Sequence, residues 1–262
     1  MNFVIITQLK NQEERIYEWL DYHVKVGFDS FIIFDDFSED NTVDEIREFS
    51  EKFPEVKIVL SKTDGIGGTY SKKQCLNSES YGWDKSLNQR ITRSYTAGNK
   101  IAREINPDSI CAIIDVDEFI FTDSDLKVTS ILQDIFLSNK CKQVKVINFD
   151  VLDNYQLQKN LILNNLETLQ TWNYKDLDEN SLWRTRSKCI IKSSEVNQIT
   201  FVHDILNGQF PKQVVESETY TERNYERLRL LHFRKPNLPT NDISFNRDEN
   251  TINKFKKILN SL

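Results

Sequence analysis

Glycine and proline are scarce in this sequence, at 7 and 5 of 262 residues. That scarcity excludes collagen-like, linker-rich and disordered chains. Long apolar runs are also missing. The first one, Phe3 to Ile6, is far too short for a signal-peptide core, and no later stretch approaches the roughly 18 residues of a membrane span. A cytoplasmic protein, soluble or peripheral, is expected. Cysteine is sparse and unpatterned: Cys75, Cys111, Cys141 and Cys189 show no Cys-x-x-Cys spacing. Three of them, Cys111, Cys141 and Cys189, sit in or beside apolar runs, which fits reduced thiols in or near a core. An excess of basic charge is absent too. Forty acidic against 34 basic side chains give a net charge of −6. No overall field then draws the chain to nucleic acid, although a local basic pocket for a phosphorylated small molecule remains compatible. Hydrophobic residues at 39% and charged residues at 28% are ordinary for a globular chain, and this one is long enough to bury a core.

The first half alternates short apolar runs with helical patterns. Strand-like runs fall at Phe3–Thr7, Phe31–Phe34, Val56–Leu60, Ile110–Ile114 and Val144–Phe149. Between them Ile16, Trp19, Leu20, His23 and Val24 repeat at three and four, the signature of one helix face. Thr42 to Glu45 reads as a capping box opening a helix to about Phe53. Helical patterns also cover Ser86 to Glu104 and Val128–Leu137. This alternation predicts an α/β fold with a mostly parallel sheet and helices on both faces. Ligands of such sheets bind at the carboxyl ends of strands. Lys10-Asn11, Asp35-Asp36 and Asp115–Glu118 therefore converge on one crevice. The second half is less regular. Strand-like runs recur at Cys189–Lys192, Ile199–His203 and Leu228–Phe233, and residues 154–183 resist assignment.

The sharpest chemical feature is Asp115-Val116-Asp117-Glu118-Phe119, directly after an apolar run. Alternate residues of an extended segment point the same way, so Asp115 and Asp117 can present two carboxylates to one side. Clustered carboxylates need a positive partner. Mg²⁺ or Mn²⁺ carrying a diphosphate is the natural one, because hard cations prefer oxygen ligands. The competing reading is a solvated acidic turn capping the next helix.

These residues also carry a family resemblance. Lys10, Asn11, Glu18, Trp19, Tyr22 and His23, then Gly27-Phe28-Asp29, Asp35, Ser38, Asp40, Asn41 and Thr42, follow in order. With Asp115-Val116-Asp117-Glu118-Phe119, the series resembles the family-2-like and family-92-like glycosyltransferases. Lys188-Cys189-Ile190-Ile191, His203 and His232 resemble later landmarks of the same family. Gln12 stands where the family usually has Glu, and residues 150–183 find no counterpart. The resemblance implies a GT-A fold, Rossmann-like with an irregular acceptor half. Residues 1–262 would form a single domain: a nucleotide-sugar half (1–122), an acceptor half (123–235) and a C-terminal helical tail (236–262). It implies a metal-dependent transferase moving a sugar from a nucleoside-diphosphate donor to a glycan or glycoconjugate acceptor, with inversion. By the family pattern Asp117 ligates the metal and Asp115 holds the ribose or a metal-bound water. Asp36 accepts hydrogen bonds from base or ribose, and Thr7, Lys10 and Asn11 line the nucleotide pocket. A late histidine often completes the metal shell, so His203 and His232 are both candidates.

A single displacement needs a base for the acceptor hydroxyl. Asp150 and Asp153, just past a strand-like run, are the candidates. Lys188, with Arg184 and Arg186 nearby, is suited to neutralise phosphate. His23, on an apolar helix face, reads as a packing residue. The tail places Ile252, Phe255, Leu259 and Leu262 on one helical face, which either docks on the domain or makes a peripheral membrane contact. Two alternatives stay open. A nucleotidyltransferase would carry a Gly-rich basic loop after the first strand, where this chain has Gln8-Leu9-Lys10-Asn11-Gln12-Glu13. A non-catalytic carbohydrate-binding scaffold would have no need for intact Asp115 and Asp117.

Overall fold

A computed structural model describes residues 1–65, 85–152, 170–172, 187–200, 202–203, 205–206, 219–222, 227–234, 245–247 and 249–260. The first half runs β1 (Phe3–Leu9), α1 (Ile16–Lys25), β2 (Ser30–Asp35), α2 (Thr42–Lys52), β3 (Lys57–Lys62), α3 (Lys85–Ile105) and β4 (Ile110–Ile113). Then come β5 (Glu118–Phe121), α4 (Val128–Asn139), β6 (Gln143–Leu152), β7 (Gln170–Trp172) and β8 (Ser187–Lys192). The described chain closes with β9 (Thr219–Glu222), β10 (Arg229–Arg234), β11 (Phe245–Arg247) and α5 (Glu249–Asn260).

The described strands form one sheet along the path β11-β7-β6-β8-β4-β1-β2-β3, with β5, β9 and β10 joined to it off that path. β3, β2, β1 and β4 are mutually parallel. β8 enters antiparallel between β4 and β6. β2 and β4 are buried along their whole length and β1 at every residue but Gln8. Unbroken apolar runs are what strands covered on both faces require. Alternate residues then serve two cores. Ile5, Phe31, Ile33 and Ala112 pack with Trp19, Phe49, Leu132 and Phe255 from α1, α2, α4 and α5. Ile6, Ile32, Phe34 and Ile113 pack with Tyr95 and Ala102 of α3 and with Cys189 and Ile191 of β8. Gly98 permits the close approach of α3, since a Cβ there would lie 2.5 Å from Ile6 Cγ2. Gly27, at φ +111°, turns the chain out of α1 over Thr129, where no side chain would fit.

The α/β class, the mostly parallel central sheet and its flanking helices are those expected. Two elements differ. Within Ile199–His203 the described residues 199, 200, 202 and 203 lie in irregular backbone, not in a strand. Ile199 is strapped to α3 instead, its N–H donating to Thr96 Oγ1 at 2.9 Å and its carbonyl accepting from the same hydroxyl. Apolar alternation cannot distinguish a paired strand from a segment tied to a helix by side-chain bonds. The acidic segment, in turn, does not simply leave the sheet. After a tight turn it re-enters as β5, antiparallel to β10. The tail forms α5, whose Ile252 and Phe255 are buried, with Phe255 stacked on Tyr22 and Phe121. Ile252 and Phe255 thus pack on the domain, Leu259 is partly buried against it, and Leu262 lies outside the described residues. No described helix is long and apolar enough to cross a membrane. Cys111, Cys141 and Cys189 are buried, as expected; Cys75 lies outside the described residues.

Candidate active site

Three loops meet at the carboxyl ends of β1, β2 and β4. The first two are cross-linked by the residues that carry the N-terminal resemblance. Asn11 adopts the left-handed region at φ +53°, which asparagine tolerates better than most residues. Its N–H donates to Ser38 Oγ at 2.9 Å and its Oδ1 accepts from Glu39 N–H at 2.9 Å. Gln12 N–H donates to Thr42 Oγ1, Glu13 N–H to Asp40, and Asn41 N–H to Glu13. Asn11 is thus bonded into the loop junction, and Lys10 Nζ lies 3.7 Å from Glu39. Thr7 is fully buried on β1, and its hydroxyl has no hydrogen-bond partner.

Asp36 follows β2 and is buried. Arg90 of α3 grips it with two hydrogen bonds of 2.8 Å, and Thr63 Oγ1 donates to it at 2.7 Å. Reading the sequence alone missed Arg90, because a lone arginine in an amphipathic helix looks like a solvated charge.

The third loop is the acidic one. Its turn is closed twice: Glu118 N–H reaches the Asp115 carbonyl at 3.1 Å, and Asp115 N–H donates to Glu118 Oε2 at 2.9 Å. Helix α1 holds the following strand from below. Trp19 Nε1 donates to the Glu118 carbonyl at 2.9 Å and Tyr22 Oη to the Ile120 carbonyl at 3.0 Å. His23 bonds the Trp19 carbonyl through Nδ1 and stacks on Phe119, a packing role. Burial depresses its pKa to about 3, the Trp19 bond opposing only in part, so the ring is neutral.

Around the turn the side chains sort by partner. Lys188 Nζ, on β8, lies 2.6 Å from Asp115 Oδ2 and 3.1 Å from Glu118 Oε2. Tyr95 Oη donates to Asp115 Oδ1 at 3.1 Å. His232 of β10 lies with Nε2 3.3 Å from Asp117 Oδ2 and Nδ1 3.8 Å from Glu118 Oε1. The Phe233 N–H donates to the Asp117 carbonyl at 2.8 Å, tying the two segments together. Burial resists the Asp117 charge, but His232, Lys188 and Arg15 outweigh it and hold the carboxyl at about 2. Glu118 is fully buried, and that burial pushes its pKa up against the opposing pull of Lys188. Burial disfavours the Lys188 ammonium, yet the Asp115 and Glu118 carboxylates prevail and push its pKa up.

The structure therefore brings Asp115, Asp117, Lys188 and His232 together, with Glu118 and Tyr95 completing the cluster. Parallel pairing of β10 with β6 sets Asp150 in register with His232, and antiparallel pairing with β5 sets Glu118 there from the other side. His203 is turned to the β8 backbone, its Nδ1 2.6 Å from the Ser187 carbonyl, so it braces the strand that carries Lys188. Asp153, Arg184 and Arg186 lie outside the described residues.

Among the described residues, no three His, Cys, Asp or Glu side chains are arranged to hold an ion by themselves. The pair Asp117 and His232 nevertheless suits a divalent ion that shares a phosphate ligand. Carboxylate and imidazole are competent donors for Mn²⁺. Ions of this class commonly take one or two protein carboxylates and complete the shell with phosphate and water. Asp117 is 26% exposed at its side chain, open enough for such a shared ligand. Beside it Glu118 Oε1 is buried without a hydrogen bond, although Lys188 and His232 stand within ion-pair reach of the carboxylate.

The fold and the cluster define an α/β protein with acidic side chains gathered at the ends of its parallel strands. The model of glycosyltransferase family 92 matches residues 107–260, and the chain belongs to that family. The matched stretch includes residues 150–183, where sequence reading alone found no counterpart. No curated protein matches the chain in sequence. Solved structures of similar shape include the mannosyltransferase PcManGT from Pyrobaculum calidifontis, in complex with GDP-Man and Mn²⁺. It shares 14% identity over 56% of this chain and 35% of its own, at a TM-score of 0.38. This chain thus spans about a third of that protein's length. Another is glucosyl-3-phosphoglycerate synthase from Mycobacterium tuberculosis, at 10% identity, 91% and 73% coverage and a TM-score of 0.45. A UDP-glucose pyrophosphorylase complexed with UDP-glucose gives 9% identity, 99% and 98% coverage and a TM-score of 0.35.

Proposed function

We propose that this glycosyltransferase uses a nucleoside-diphosphate sugar and a divalent cation, Mn²⁺ or Mg²⁺, and transfers the sugar with inversion to a hydroxyl of a glycan or glycoconjugate. The observation that carries the reading is the partly exposed Asp117 carboxylate, flanked by His232 at the strand ends and held in its charged form by that histidine and Lys188. Asp117 and His232 would hold the ion. When bound, it supplies Lewis-acid neutralisation of the charge that grows on the departing diphosphate.

The chain's own residues do the rest. Thr7, Lys10 and Asn11 flank the nucleotide side of the crevice, and the buried Thr7 hydroxyl is an orphan polar group suited to a ligand. Asp36, fixed by Arg90, faces the nucleoside, and Asp115 receives a ribose hydroxyl or a bound water. Asp150 or Asp153 takes the acceptor proton as the new glycosidic bond forms. The bond from the anomeric carbon to the diphosphate oxygen breaks in the same step, its electron pair leaving with the diphosphate. Register beside His232 supports Asp150 as the base.

The test is thermal stability against UDP, GDP, dTDP and CMP, each with and without Mn²⁺, in the wild type and in Asp117→Ala. A ligand that binds only the native state raises Tm by mass action. One nucleotide should raise Tm in a manner that requires Mn²⁺ and vanishes in the variant. No shift with any nucleotide would contradict the reading and favour a non-catalytic scaffold.

A further inference from the structure

We propose that Lys188 is a positioning residue, not a phosphate ligand. Its ammonium is the built-in counter-ion of Asp115 and keeps that carboxylate out of the metal's ligand shell, leaving Asp117 and His232 as the protein's anchors. The inference rests on the function proposed above, in which Asp117 and Asp115 already differ, and adds the residue that enforces that difference.

In sequence the two aspartates look equivalent. In the fold they are not. Asp115 has both oxygens engaged, Oδ2 by Lys188 at 2.6 Å and Oδ1 by Tyr95 at 3.1 Å. Asp117 shares one oxygen with an imidazole at 3.3 Å. The Lys188 side chain is 5% exposed and also meets the fully buried Glu118 at 3.1 Å. To reach a phosphate it would have to abandon both carboxylates. That would strand the Glu118 charge in the interior, a state that is strongly destabilising. The strand is braced so that the ammonium stays put: His203 binds the Ser187 carbonyl, and Ser187 Oγ donates to the His203 carbonyl at 3.2 Å. A fixed ammonium on Asp115 also repels a second cation there, which steers an incoming ion to Asp117.

Mn²⁺ titration of the full chain, followed by electron paramagnetic resonance without nucleotide, decides the matter. Lys188→Met should bind Mn²⁺ more tightly, on the order of tenfold, since a unit positive charge a few ångströms away is removed and Asp115 is released. Lys188→Arg should restore wild-type affinity. The double variant Lys188→Met/Asp115→Asn removes a neutral pair and no ligand, so its affinity should stay within about threefold of wild type. It also keeps the test decisive if Lys188→Met alone fails to fold. Two results would overturn the assignment. One is a double variant at least about tenfold weaker for Mn²⁺, which makes Asp115 a ligand. The other is a Lys188→Met protein with unchanged Mn²⁺ affinity but weakened binding of Mn²⁺–pyrophosphate, which makes Lys188 a phosphate contact. A wild-type chain that binds no Mn²⁺ would overturn the proposed function and this division of labour with it, whereas the variant outcomes bear on Lys188 alone.

Discussion

Asp115 and Asp117 are two residues apart and end in different electrostatic settings, because β8 supplies a lysine to one and β10 a histidine to the other. The same scale governs His23, whose imidazole is fully buried among Trp19, Tyr22, Phe28 and Phe119. Its folded pKa of about 3 lies below the ordinary 6.5. Between those values the unfolded chain binds a proton that the native ring refuses, so the native state loses stability as pH falls through this window. Above pH ~6.5 both states carry a neutral ring and the term vanishes. Replacing His23 with Phe, which matches the aromatic surroundings, should flatten that part of the profile. Tm measured from pH 7 to pH 4 should drop less in the variant than in the wild type. Parallel curves would contradict a neutral buried His23.

At the scale of elements, the site is a product of helices that never touch a ligand. Trp19 and Tyr22 of α1 hold the backbone of β5 from almost one hundred residues away in sequence. Arg90 of α3 fixes Asp36 at the end of β2. Cutting that ion pair on one side leaves a buried carboxylate with Thr63 but no counter-ion, so Arg90→Met should cost roughly 3–5 kcal/mol, while adding Asp36→Asn should recover part of the loss. Chemical denaturation of the three proteins measures both; a single variant as stable as wild type would contradict a stabilising role for the Arg90–Asp36 pair. What was legible in the sequence follows the same division. The helix faces, the buried strands and the convergence of three loops came from local periodicity, because apolar spacing is a local signal. Arg90, Tyr95, strand β5 and the different settings of His203 and His232 were not legible. Each depends on pairing between distant segments, and a histidine ending an apolar run reads alike whether it faces a carboxylate or a backbone carbonyl. Ile199–His203 misled for the same reason, the Ile199 N–H and carbonyl being satisfied by Thr96 across the chain.

Across the whole molecule, the antiparallel β8 carries the sheet from the parallel strands β3 to β4 into β6 and β10, so residues from both halves share one cluster. Lys188 and His232 arrive from the second half to serve carboxylates placed by the first. The pairing of β10 with both β5 and β6 puts Glu118, His232 and Asp150 in one row of the sheet. If Asp150 is the base, Asp150→Asn should retain nucleotide binding, seen as an unchanged Tm shift, and lose transfer by about 100-fold or more. Retained transfer would pass the role to Asp153.

The central claim is that Asp117 anchors a cation-dependent glycosyl transfer. The most direct measurement is release of nucleoside diphosphate from the matching sugar donor, followed with Mn²⁺, with a chelator, and in Asp117→Ala. The account predicts turnover in the first condition alone, with the variant folded and down by about 100-fold or more. Equal turnover in chelator, or in Asp117→Ala, would contradict it.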